Sequence, residues 1–364
     1  MVSNGFLTGP PEPNLIQAVE WRDPLGRFPT GFTWGVFFQS RPGSDRIPLP
    51  PAPALKSSAA SAPAAYQLAV AARGYRDTRI SVAETQTRAD LALEKDLRRH
   101  LWIWGNEAPT SLAGRATLFD FADKKGIGTF YVDAGGLMGG NKAALITFLK
   151  ASHERGFAVE LLFGAPQWAL AANHATPVNF AKETVNLLQL LKAEGAAYPT
   201  SIQMDVEPYS LPLWETDKAT VANDLIDMYV KLKAALKGTP VGVTACIPRW
   251  FDTHPILREG KTRLLCDWIA DATDRLTLMD YVDNAKGIVD GADHEVAYAD
   301  SMGKEVVIGV ETMPGLDPET VSFSEEGEAV MEAALTQVVA RFGADNSYFG
   351  MAVHHYGTYP TLKP

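Results

Sequence analysis

From Leu101 onward the sequence repeats one pattern, a short apolar run followed by a longer stretch of helical period. The runs are Leu101–Trp104, Thr129–Val132, Ala158–Phe163, Ser201–Met204, Val241–Ala245, Leu276–Met279, Glu305–Val310 and Phe349–Val353. Between them lie segments of helical spacing at 118–126, 143–155, 177–194, 218–237, 263–274, 291–302 and 325–342, most of them closed by glycine. Glycine suits the turn that ends a helix because it tolerates positive φ. Short runs buried on both faces, each followed by an amphipathic helix, are the strands of a parallel sheet. Eight strands with seven helices predict an α/β fold, a closed (β/α)8 TIM barrel over residues 96–364. A doubly wound open sheet is the alternative. It carries a Gly-rich loop after its first strand, where this chain has Gly105-Asn-Glu-Ala-Pro109.

Residues 1–95 do not share the pattern. Eleven of the 24 prolines fall between Pro10 and Pro63, and an Ala/Ser run follows. Proline removes a backbone donor, so this stretch excludes regular helix and central strand. It reads as an appendage, either a small β-module or an arm packed on the barrel. Candidate strands are Phe32–Phe38 and the pair Tyr66–Val70 and Thr78–Val82, with a turn at Arg73-Gly74.

Charge narrows the partners. With 33 basic and 43 acidic residues the net charge is −10, which disfavours nucleic acid, since phosphate contacts need Lys and Arg. No run approaches the roughly 18 apolar residues of a membrane helix. Met1 to Leu7 carries neither a basic nor an apolar segment, so no secretory signal is expected there. That leaves a protein kept in the cell, or one exported with its leader removed. Cys246 and Cys266 make no disulfide framework and cannot alone complete a zinc site; both read as small packing residues.

In such a barrel, chemistry gathers at the C-terminal ends of the strands. The first run supplies Trp104, the second Asp133, and the third Trp168. The fourth supplies Asp205, Glu207 and Tyr209, and the fifth Arg249 and Trp250. The sixth supplies Asp280 and Tyr281, the seventh Glu311, and the eighth His355 and Tyr356. Asp205 and Glu207 share one side of a strand by its period of two, and two acids facing one pocket raise the pKa of one of them. A raised carboxyl is what a general acid needs near neutral pH. The competing reading is a surface pair, or an ion pair with Arg249. Glu311 ends a buried run, where a carboxylate is costly unless paired or used. Tryptophans and tyrosines at the same rim suit the C–H faces of sugar rings.

An acid followed by Pro after the fourth strand, with a Glu at the end of the seventh, resembles the retaining glycoside hydrolases built on (β/α)8 barrels. The resemblance implies Glu207 as acid/base and Glu311 as nucleophile. Val206 stands where that clan carries Asn, and His354-His355-Tyr356 where it often carries Trp. Asp205-x-Glu207 is also similar to the Asp-x-Glu of chitinase-like barrels. Their Met-x-Tyr-Asp is matched by Met279-Asp-Tyr-Val-Asp283 with a one-residue slip. That second resemblance implies Glu207 as acid, Asp205 and Tyr281 serving the substrate's acetamido group as nucleophile, and Glu311 as a binding residue.

The leading expectation is therefore a glycosidase acting on an oligosaccharide or polysaccharide with no cofactor. The alternatives are a substrate-assisted hydrolase of N-acetylated sugars, a carbohydrate-binding pseudoenzyme and a metal-dependent hydrolase. Neighbours in a strand face opposite ways, so at most one of His354 and His355 enters the barrel. Such hydrolases carry His-x-His on the first strand, which this chain lacks. A cation held by Asp133, Asp205, Glu207, Asp280 and Glu311 is the less favoured reading. His294 reads as a surface or helix residue.

Overall fold

A computed structural model describes residues 16–22, 65–72, 74–76, 78–83, 94–194 and 196–364. The chain divides into two compact units, residues 1–96 and 97–364.

In the first unit, β1 (Ile16–Arg22), β2 (Ala65–Ala72) and β3 (Thr78–Ala83) form a three-stranded antiparallel sheet in that order. The Tyr66–Val70 and Thr78–Val82 runs lie in β2 and β3, while β1 carries no signal that the sequence reading used. Phe32–Phe38 and Arg73 fall outside the described residues.

The second unit is a closed barrel of eight parallel strands. They are β4 (Arg99–Ile103), β5 (Ile127–Asp133), β6 (Ala158–Phe163), β7 (Ser201–Asp205) and β8 (Gly242–Pro248), then, after a hairpin, β11 (Arg275–Met279), β12 (Glu305–Glu311) and β13 (Tyr348–His354). Each of the eight apolar runs overlaps one of these strands, with Trp104 and Val241 one residue outside. The helices between them span 112–125, 142–154, 175–193, 218–235, 265–272, 285–302 and 328–342. A hairpin, β9 (Pro255–Arg258) with β10 (Lys261–Leu264), stands where the sequence pattern predicts the start of the helix at 263–274. Its four-residue strands are too short to show a period. Its turn is Glu259-Gly260 with φ of 53° and 73°, the doubly positive turn that suits a two-residue hairpin.

Strand alternation divides the side chains into two sets. Leu101, Ile103, Phe130, Val132, Leu161, Phe163, Ile202 and Met204 pack outward into the helical layer. Trp102, Tyr131 and Cys246, their neighbours in phase, are buried inside. Contacts between strands that are not neighbours cross the barrel. The Trp102 ring reaches over Gly309 of β12, and the Tyr131 hydroxyl lies 3.5 Å from Thr277 of β11. At the opposite end from the strand tips, buried Arg275 meets Glu160 at 2.5 Å and Glu305 at 2.7 Å. Removing one member of such a buried group costs about 3–5 kcal/mol because an uncompensated charge remains.

Candidate active site

The inward phase carries its chemistry to the C-terminal mouth. On β7, Gln203 and Asp205 face inward and Met204 outward. The strand stops at Asp205, so Glu207 is not aimed by alternation. It precedes a tight turn at Pro208–Ser210, with φ −102° and ψ 77°. Gly164, just past β6, makes this arrangement fit. A Cβ there would lie 2.0 Å from the Asp205 carbonyl oxygen, closer than atoms approach.

Asp205 and Glu207 are electrostatically coupled. Burial first, then the Glu207 charge, push the Asp205 carboxyl up to about 7. Asp205 Oδ1 is buried and meets no hydrogen-bond donor among the described residues. Burial and the same Glu207 charge raise the Tyr209 phenol. Tyr209 stands edge-on to Trp250, with ring centres 5.1 Å apart, and Trp250 continues to Trp214 and Phe251. An aromatic wall therefore flanks Glu207.

Glu311, on β12, is 3% exposed. Its Oε1 accepts from the backbone N–H groups of Thr312 and Met313 at 2.7 and 2.8 Å. Its Oε2 lies 2.7 Å from His354 Nδ1, and His354 Nε2 accepts from the Trp104 indole N–H at 2.8 Å. An indole N–H only donates, so Nε2 must carry a lone pair. The proton then sits on Nδ1 and is donated to Glu311. Trp104, though 43% exposed, thus sets the tautomer of a half-buried histidine.

Tyr281 joins the two halves. Its ring centre lies 5.9 Å from that of His354. Burial raises its phenol well above the usual range, and the charges of Glu311, Asp205 and Glu207 add to this. Asp205, Glu207, Tyr281, Glu311 and His354 form one acidic, aromatic constellation.

Several other expected site residues point elsewhere, whereas Asp133 ends β5 in the inward phase of Tyr131. The inward histidine is His354 and not His355, whose Nδ1 accepts from the Gly357 N–H at 3.1 Å. Asp280 continues the outward phase of Leu278, so it faces the helical layer. Its carboxylate lies 3.1 Å from Arg249 Nε, and Arg249 also donates to the Gly287 carbonyl. Gly291 of the 285–302 helix makes room, since a Cβ there would sit 2.5 Å from both Arg249 and Asp280. Arg249 therefore pairs with Asp280, away from Glu207 and Glu311. Asp133 accepts from the Gly135 N–H at 3.3 Å. Trp168 packs on Phe180 and Tyr356 on Phe121. His354, in phase with Ala352 on the last strand, takes the inward place expected of His355.

The fold and mouth define a (β/α)8 barrel with a carboxylate pair, a tyrosine and a histidine-linked glutamate at its strand tips. No protein-family model and no curated protein matches the chain. Among solved structures it is similar to a GH18 chitinase from Pseudoalteromonas aurantia, at 11% identity over 71% of this chain and 94% of that one, TM-score 0.46. A chitinase from Chromobacterium violaceum aligns at 13% identity over 72% and 95%, TM-score 0.44. A D-psicose 3-epimerase aligns at 11% over 71% and 84%, TM-score 0.40.

Proposed function

We propose that the barrel is a glycoside hydrolase in which Glu207 is the proton donor. The observation that carries this is the coupled pair at the end of β7, with Asp205 raised to about 7 by burial and by Glu207. Such a pair retains a proton near neutral pH, and that proton belongs to the pair as a whole. Tyr209 and Trp250, only partly buried beside it, are the rings of the aromatic wall open to a sugar.

The state of Glu311 favours the substrate-assisted route over a nucleophilic Glu311. Three short hydrogen bonds occupy its two oxygens, and it is buried. Attack on an anomeric carbon would require it to leave those partners. Asp205 Oδ1 has no such tie among the described residues, and the Tyr281 phenol lies close enough to feel the charges of Glu311, Asp205 and Glu207. On this reading the acetamido oxygen of an N-acetylated sugar attacks its own anomeric carbon. Glu207 gives its proton to the departing glycosidic oxygen as that C–O bond breaks. Asp205 accepts from the amide N–H as positive charge develops there, and the Tyr281 hydroxyl donates to the acetamido oxygen. Water then opens the ring intermediate, with the Glu207 carboxylate taking its proton. His354 and Glu311 hold the floor of the site.

Glu207→Gln keeps the shape and removes the proton. Hydrolysis of an unactivated oligosaccharide should fall by about 10²–10⁴-fold. A substrate with a dinitrophenyl leaving group, which needs no protonation, should lose far less. Equal losses on both substrates would remove Glu207 from the acid role.

A further inference from the structure

The hairpin and the two helices beside it hold a second cluster, outside the carboxylates of the mouth. Cys266 and Asp267 open the 265–272 helix, and His294 and Glu295 lie on the 285–302 helix. Cys266 Sγ is 3.8 Å from Asp267 Oδ1, which is 2.8 Å from His294 Nε2. All three atoms lie within 4.8 Å of one another. Zinc bonds of about 2.0 Å to nitrogen or oxygen and about 2.3 Å to sulfur place tetrahedral ligand atoms roughly 3–4 Å apart. Thiolate, imidazole and carboxylate together are a set that suits zinc and not a hard cation.

A second observation points to a cation. Glu295 is 1% exposed, and neither of its oxygens meets a hydrogen-bond donor among the described residues. Asp252 and Asp280 are other carboxylates close enough to act on it. Arg249 lies against Asp280 and so answers one of these charges. His294, with its side chain 38% exposed, opens the cluster to solvent.

We propose that Cys266, Asp267 and His294 ligate a zinc ion, with a water in the fourth position and Glu295 accepting a hydrogen bond from that water. On binding, the Cys266 thiol releases its proton to solvent. The His294 proton moves from Nε2 to Nδ1, leaving the Nε2 lone pair for the metal. One proton is lost per zinc bound. The site tethers the two helices that flank the Arg249–Asp280 pair.

The test uses the full chain without a histidine tag, stripped with chelator and titrated with zinc against a chromophoric competitor. The expected result is one zinc per chain. Cys266→Ser and His294→Gln should each weaken binding by at least about 100-fold, and Glu295→Gln by about 10–100-fold, as supporting groups do. Cobalt in place of zinc should give a thiolate-to-cobalt band in the near ultraviolet. That reading needs only the unaltered chain, so it decides the matter even where a variant fails to fold. Absence of stoichiometric uptake, absence of the cobalt band, or affinity unchanged in both ligand variants would overturn the assignment.

Discussion

Glu311, His354 and Trp104 form a chain of hydrogen bonds in which each group has one role left to it. The indole can only donate and the carboxylate, when ionised, only accept, so the imidazole between them is neutral with its proton on Nδ1. The Asp205–Glu207 pair has the opposite character, because one of its oxygens has no donor and burial raises its proton affinity. Since the Asp205 carboxyl is raised to about 7, the pair holds a proton below that value and loses it above. kcat/KM on an unactivated substrate should therefore be level below about pH 7 and fall about tenfold per pH unit above it. In Asp205→Asn the limb should leave this pH range, because the raised carboxyl is gone. An unmoved limb in that variant would mean that another group governs it. Glu207 and Glu311 were legible in the sequence because each follows an apolar run. His354 was not separable from His355, since the phase at the end of a strand depends on where its pairing begins.

At the level of elements, the apolar runs announced all eight strands because each is buried on both faces. What periodicity does not carry is the direction of a residue just beyond a strand. Asp280 and Tyr281 are adjacent, yet one faces the helices and the other the mouth. Gly291 marks the outward side. Its replacement by alanine puts a methyl group 2.5 Å from Arg249 and Asp280, an overpacking that should cost about 1–3 kcal/mol. Thermal unfolding followed by circular dichroism should show Gly291→Ala melting well below the wild type. Gly139→Ala, where nothing lies within 4 Å of the added carbon, should melt close to it. Equal midpoints for the two variants would contradict the packing described for the Arg249–Asp280 pair.

For the molecule as a whole, every residue of the mouth belongs to the unit spanning residues 97–364. That unit closes its own barrel and buries its own Arg275–Glu160–Glu305 group. A chain beginning at Leu97 should fold cooperatively and keep hydrolysis of a short, soluble substrate within about threefold of the whole protein, since a domain with its own core folds alone. Loss of the folded state on truncation would assign part of the barrel's stability to the first 96 residues. The proline-rich stretch was legible only as a break in the pattern, because proline excludes helix and central strand there without marking the edge strand β1 that lies within it. The central claim is that the substrate supplies its own nucleophile beside Asp205. It is tested most directly by kcat/KM on a matched pair, an N-acetylated oligosaccharide and its deacetylated counterpart. The account predicts cleavage of the acetylated member alone, with Asp205→Ala abolishing it and Glu311→Ala gaining nothing from azide. Equal cleavage of both members, with azide restoring Glu311→Ala, would contradict it and return the nucleophile to Glu311.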